Sequence, residues 1–278
     1  MGNIGGMNVL PLVAILGIIA ASVLLAGCST PATKPETADM NVTATEITAS
    51  VNNGLYDIRA GLANTSKTLS VTGLSGKSAE DALSDNLQQY PWALSSWTIS
   101  PEGIVLAAVP EEYTGYAGTN LSGQEHVRTA NMKQAPTVSR VFPLIEGFNA
   151  VVQTYPVFSA SGTYLGYVDI TYKPEVFLKP HIEPVINGTL YDVWVIQSEG
   201  TEIYDTTPEE IGKNILTDSI YADPAMQEIV NRIVQEPSAT GRYTFWDRAW
   251  SRNVTKVAVW ETAGIDGAAW RVGVTRED

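Results

Sequence analysis

Cysteine, histidine and basic charge are the scarce resources of this chain. Its 278 residues include one cysteine, Cys28, so no intrachain disulfide can form. Two histidines, His126 and His181, leave little for a metal centre, because neither has the further ligands that a zinc site requires. His181-Ile182-Glu183 also lacks the cysteine pair of a zinc deaminase. Lysine and arginine number 17 against 30 acidic residues, a formal charge of -13 that repels phosphate backbones and argues against nucleic acid as a partner. No Gly-x-Ser-x-Gly elbow is present for a hydrolase. Gly73-Leu74-Ser75-Gly76-Lys77-Ser78 approaches the end of a phosphate-binding loop, but Val71 stands where that loop needs a glycine. Acidic residues are too numerous for any one carboxylate pair to mark a glycosidase. The chain reads as a binding protein rather than an enzyme, with no cofactor and no metal.

Charge is also missing from the start of the chain. Val9 to Gly27 is an uncharged run with the length of a membrane-crossing helix, and no Lys or Arg precedes it. It ends at Leu25-Ala26-Gly27-Cys28, which resembles the lipobox of prokaryotic lipoproteins, where small residues admit the peptidase and the thiol carries the lipid. Residues 1–28 are thus expected to be a signal peptide lipidated at Cys28, and 29–42, rich in Pro and Thr, a tether. An uncleaved anchor is the alternative; either places the rest of the chain on the outer face of the cytoplasmic membrane. Five Asn-x-Ser/Thr sequons, at Asn41, Asn64, Asn120, Asn187 and Asn253, are candidate glycosylation sites and would fit an archaeal surface protein.

What is present is a mixture of periodicities. Ile47, Val51, Leu55, Ile58, Leu62 and Leu69 recur at helical spacing and predict a long helix, weakened by Gly54 and Gly61. Ser78-Ala79-Glu80-Asp81 reads as a capping box opening a shorter helix. Trp97–Ile99 and Ile104–Val109 around Pro101-Glu102-Gly103 form a hairpin. Ser122 to Glu125 caps a short helix carrying Arg128 and Asn131, and strands follow over 138–144, 150–157 and 164–172, with turns at Glu146-Gly147 and Ser161-Gly162. Residues 173–184, with three prolines, read as a connector. A second hairpin spans 191–205, Asp223-Pro224 opens a helix with an apolar stripe of Met226, Ile229, Val230, Ile233 and Val234, and three strands finish the chain. Along 164–172, Gly166, Val168 and Ile170 share the face suited to the long helix, while Tyr167, Asp169 and Thr171 share the other.

This order of elements is similar to the double Cache family of PAS-like extracytoplasmic sensors, over residues 43 to 277. The resemblance is carried by Thr137-Val138-Ser139-Arg140-Val141, by Val151-Val152-Gln153-Thr154-Tyr155-Pro156-Val157, and by Gly166-Tyr167-Val168-Asp169 after the Ser161-Gly162 turn. In the second half it is carried by Ser198-Glu199-Gly200-Thr201 and Glu210-Ile211-Gly212-Lys213-Asn214. It implies an α+β fold: a long N-terminal helix packed on two successive PAS-like modules with antiparallel sheets. Residues 43–180 would be the membrane-distal module and 181–278 the membrane-proximal one. In amino-acid-binding relatives the aspartate of Gly-x-x-Asp contacts the ligand amine, which gives Asp169 that role. Arg128 lies where relatives place an arginine that clamps a ligand carboxylate, although Thr129-Ala130-Asn131 replaces their following Trp-Tyr pair. Tyr155, Tyr167, Tyr116, Tyr113, Arg140 and Trp97 complete the candidate ligand-binding set. The expected function is extracytoplasmic binding of a small molecule, such as a carboxylate, amine or amino-acid-like metabolite. A separate membrane partner for signalling or transport is expected, because no second span follows. A ligand-free glycosylated surface or adhesion protein is the rival, and an exported hydrolase a lesser one.

Overall fold

The computed structural model describes residues 37–144 and 148–278. The uncharged run, Cys28, the tether up to residue 36 and the Glu146-Gly147 turn therefore lie outside the described residues. Among those described, no helix is long and apolar enough to cross a membrane.

Helix α1 (Ala38–Thr72) is the spine. Ile47, Val51, Leu55, Ile58, Leu62 and Leu69 are all fully buried along one stripe, as their spacing predicts. Its glycines are close-contact points: a Cβ on Gly54 would lie 2.5 Å from His181 Nε2, and one on Gly61 would lie 2.5 Å from the Tyr90 hydroxyl. The intrinsic cost of each, about 1 kcal/mol, is offset by what packs there. Helix α2 (Lys77–Leu87) follows. Gly76, not Ser78, occupies its N-cap and supplies no side-chain cap, so the capping box does not form. Lys77 instead pairs with Asp81 at 2.6 Å on the exposed face.

The first sheet contains β1 (Ser96–Ile99), β2 (Val105–Val109), β3 (Thr137–Val138), β4 (Phe142–Pro143), β5 (Asn149–Phe158) and β6 (Tyr164–Tyr172). Its strand order is β2-β1-β6-β5-β3, with β4 also pairing β5. The continuous strand expected over 138–144 is two short bridges instead. A 3-10 turn (Glu111–Tyr116) and helix α3 (Glu125–Lys133) lie between β2 and β3. Gln124, not Ser122, is the N-cap residue of α3. Gly166 has a φ of 127°, and a Cβ there would sit 2.0 Å from the Ile99 carbonyl oxygen. The glycine of Gly-x-x-Asp is thus what lets β1 close against β6.

Residues 173–184, read from sequence as a connector, fall almost entirely in helix α4 (Pro174–Ile186), with Pro180 and Pro184 inside it. An interior proline costs about 3 kcal/mol. Here Pro174 starts the helix, and burial of Phe177, Leu178 and Ile182, at about 1.5–3 kcal/mol each, holds the segment against α1. Ser50 Oγ and His181 Nδ1, 3.0 Å apart, fix the same contact.

The second sheet comprises β7 (Asp192–Gln197), β8 (Glu202–Asp205), β9 (Ala239–Trp246), β10 (Asn253–Ala263) and β11 (Trp270–Glu277), in the order β8-β7-β11-β10-β9. Both sheets are antiparallel, and in each the first hairpin strand pairs with the last strand. Helix α5 (Pro224–Gln235) covers the second sheet. Its N-cap Asp223 accepts hydrogen bonds from the amides of Ala225 (2.9 Å) and Met226 (3.3 Å), as Asp223-Pro224 predicts.

Helix α1 runs across both sheets. Its first half is held to the second sheet by Thr45 to Glu261 (2.8 Å) and by the Gly264 amide to Asn52 (2.7 Å). Its second half is held to the first sheet by Gln153 to the Leu55 carbonyl (3.0 Å) and Ser66 to the Pro156 carbonyl (2.7 Å). The result is an α+β architecture with one long helix on two antiparallel sheets.

Candidate functional site

Strand β6 divides its side chains as the alternation predicts. Val168, Ile170 and Tyr172 join the core under α1. Tyr167, Asp169 and Thr171 point to the opposite face and line a cavity of about 120 Å³. Trp97 and Ile99 of β1 contribute from the next strand, and Tyr113 and Tyr116 from the 3-10 turn roof it. The rings form a box: Trp97 stacks on Tyr116 with centroids 5.4 Å apart at 28°, and Tyr113 lies 6.0 Å from Trp97. Gln124 and His126 of α3 and Phe142 of β4 close another side. An engineered cavity of about 150 Å³ holds benzene, so this one suits a solute of one ring or a few heavy atoms.

Three of the residues lining this space carry buried polar groups. Asp169, 4% exposed, accepts one hydrogen bond from the Trp97 amide at 3.0 Å. Burial pushes its carboxyl up to about 8, against the opposing pull of that amide. The Tyr167 hydroxyl and the Trp97 indole N–H are buried and have no hydrogen-bond partner. Two orphaned polar groups beside a buried acid leave a deficit of about 1–3 kcal/mol each. No Lys or Arg is among the described residues lining the cavity. His126, stacked on Phe142 at 4.6 Å, is held neutral by burial, with its pKa lowered to about 4.

Five residues of the sequence-based set, Asp169, Tyr167, Trp97, Tyr113 and Tyr116, therefore meet at one cavity. Three do not. Arg128 is exposed and donates to the Gly123 carbonyl. Two residues from His126 along a helix is about 200° around its axis, so Arg128 points away from the cavity that His126 reaches. Tyr155 pairs with Val168 across β5 and β6 and packs into the core under α1, on the wrong face of the sheet. Arg140 lines a neighbouring groove instead. Sequence reasoning passed over Gln124, Phe142 and His126 as ligand-facing groups.

A second acidic site sits under α5. Glu202, Asp205 and Glu210 bring carboxyl oxygens within 4.8 Å of one another. The Tyr221 hydroxyl lies 3.0 Å from Oε2 of both Glu202 and Glu210. One hydroxyl donates one hydrogen, so it fully satisfies only one of the two carboxylates, and a proton on the cluster would relieve the other contact. Burial raises all three carboxyls, Asp205 to about 8. Lys256, also buried, lines the same space, whose volume is about 30 Å³.

Comparison with known proteins agrees with this arrangement. Residues 53–174 match the model of the "HK/GC/Chemotaxis protein-like, sensor domain" family. That match spans helix α1 from its middle through the whole first sheet and its cavity. Residues 53–174 thus resemble a sensor domain of this kind, and the fold is that of Cache-type sensor domains. An extracellular ligand-binding receptor from Desulfohalobium retbaense shares this Cache fold over 86% of the present chain, at 26% identity and a TM-score of 0.72. The present chain spans 40% of that receptor's length. The ligand-binding domain of the Pseudomonas aeruginosa amino acid chemoreceptor PctB, in complex with L-Gln, aligns over 86% of this chain and 90% of its own, at 13% identity and a TM-score of 0.63. The periplasmic sensory domain of the Campylobacter jejuni chemoreceptor Tlp1 aligns over 86% and 94%, at 14% identity and a TM-score of 0.60. These two show a shared Cache fold. Among curated proteins none matches by sequence.

Proposed function

We propose that this protein is an extracytoplasmic sensor that binds a small molecule in the first-sheet cavity and passes the event to a separate membrane partner. The observation that carries this reading is the pair of orphaned groups, Trp97 Nε1 and Tyr167 Oη, beside buried Asp169 in an aromatic box. An indole N–H only donates, so the solute must offer an acceptor. Asp169 needs a donor from it when ionised and can also donate when protonated. The part of the ligand in the cavity therefore carries both a donor and an acceptor. It is neutral or cationic, because nothing lining the cavity neutralises a carboxylate. An amide or a nitrogen heterocycle fits, as does an amine with a neighbouring hydroxyl or carbonyl, and aromatic walls favour a cation. A quaternary ammonium, with neither donor nor acceptor, does not.

The amino acid receptor PctB, and PctC, which was crystallised with GABA, bind amine-bearing solutes on the same fold. The lipidated N-terminus at Cys28 and outer-face location belong to the same reading, as does binding without turnover. The ligand-free surface role is favoured by one observation: the five sequon asparagines are all exposed. The cavity weighs against it.

A thermal-shift screen of the full-length protein in detergent against amines, amides, nucleobases and amino acids tests the proposal. A solute at 100 times its Kd should stabilise by about 2.7 kcal/mol. Asp169→Asn should abolish the shift, and a shift retained in that variant removes the site. The pH profile identifies the charge. A cation needs ionised Asp169, so its affinity rises with pH up to about 8. A neutral solute that accepts from the protonated acid loses affinity above that value.

A further inference from the structure

The cavity has a neighbour. A groove of about 440 Å³ runs along α3 and residues 137–143, and it shares Gln124, His126, Phe142 and Pro143 with the cavity. The stacked His126 and Phe142 rings are the partition between the two. The groove differs in charge from the rest of the surface. Lys133 and Arg140 both line it, and neither side chain has a hydrogen bond or ion pair among the described residues. Elsewhere in this acidic chain the arginines are engaged: Arg59 with Asp266, Arg232 with Glu236, Arg242 with Asp278, Arg248 with Asp192 and Arg252 with Asp247. Two uncommitted cations facing one groove, with Glu125 the sole acid among the described residues lining it, form a local positive site in a molecule of charge -13. The groove also reaches the second sheet's β10–β11 loop: a Cβ on Gly267 would lie 3.6 Å from Lys133 Nζ.

We propose that the natural ligand is elongated, with a donor–acceptor head in the aromatic cavity and an acidic tail that passes His126 and Phe142 to reach Lys133 and Arg140. This rests on the cavity reading above and deepens it. The cavity rejects a carboxylate and the groove accepts one. The tail would be a carboxylate or a phosphate, which are alike in this chemistry. Because Gly267 belongs to the second sheet's loop, an occupied groove touches both halves of the fold.

The test is calorimetric titration of the full-length protein in detergent with matched probes, with and without an acidic tail. Pentanamide is set against 6-amino-6-oxohexanoate, adenine against adenosine monophosphate, and uracil against uridine monophosphate. At least one tailed probe should bind about tenfold more tightly than its matched head. Arg140→Gln and Lys133→Gln should each cut that advantage about threefold, and raised salt should erase it, while the bare head binds unchanged. Both residues are exposed, so unaltered thermal midpoints will confirm folding. Heads and tailed probes binding equally, or tailed binding indifferent to both variants, overturns the elongated ligand and leaves the sensor standing. Binding by no probe counts against the cavity reading, and the tail falls with it. A carboxylate tail preferred over a phosphate, or the reverse, identifies the source.

Discussion

The two sheets have the same strand order, and each buries acid on the face turned away from α1, yet one face is hollow and the other is filled. On the first, Asp169 looks into about 120 Å³ roofed by a 3-10 turn and the edge of a short helix. On the second, Glu202, Asp205 and Glu210 look into about 30 Å³, room for a water. The difference is the roof. Helix α5 lays Met226, Ile229, Val230 and Ile233 onto Trp194, Phe245 and Trp260, and that apolar stripe leaves no space. Over the first sheet, α3 contributes only Val127 and Ala130 to the packing, against Ile99, Val105, Ala108 and Tyr167. Tyrosines cover the remainder with rings that meet edge or face and leave a gap. A repeated scaffold thus carries one hollow face and one filled face, according to how apolar the covering segment is.

The largest expected effect comes from emptying the filled face. Ile233→Ala should cost about 2–5 kcal/mol in denaturant unfolding, whereas Tyr116→Ala on the hollow face should cost under about 1 kcal/mol while removing ligand-induced stabilisation. Equal costs would erase the distinction between the two roofs. Next is the response to pH. The raised carboxyls of the second face bind protons in the folded state that the unfolded chain has released. Stability should therefore fall as pH rises from about 4 toward 8, the window set by Asp205. Glu202→Gln keeps a neutral side chain there and should flatten that slope; an unchanged slope would mean that the cluster holds no shared proton.

Asp169→Asn sharpens the comparison from the other side. Burial raises Asp169 as well, so the variant should be at least as stable as wild type near pH 8, while its ligand affinity drops tenfold or more. The smallest effect belongs to Arg128→Ala, within about 0.5 kcal/mol of wild type and without change in ligand affinity.

Most of this architecture was legible because it rests on periodicity. The α1 stripe, both hairpins, the Asp223 cap and the two faces of β6 follow from spacing alone. Helix α4 was hidden because proline is a local signal of breakage, and only tertiary burial of Phe177, Leu178 and Ile182 overrides it. Within the site, strand β6 could be assigned faces, but the register joining it to β5 could not. Thr154, not Tyr155, lies opposite Asp169. Arg128 failed for a rotational reason: its helix was foreseen, but the angle at which α3 meets the sheet depends on contacts distant in sequence. The groove beside the cavity was invisible for the same reason, since α3, residues 137–143 and Gly267 converge only in three dimensions.

The central claim, that a solute is gripped between Asp169, Trp97 and Tyr167, is tested most directly by one titration series. The most stabilising compound from the screen is measured by calorimetry against wild type, Asp169→Asn and Trp97→Phe, which removes the indole N–H. Saturable binding to wild type with at least tenfold weaker binding to both variants is the predicted result. The same Kd for all three proteins would place the ligand elsewhere and contradict the account.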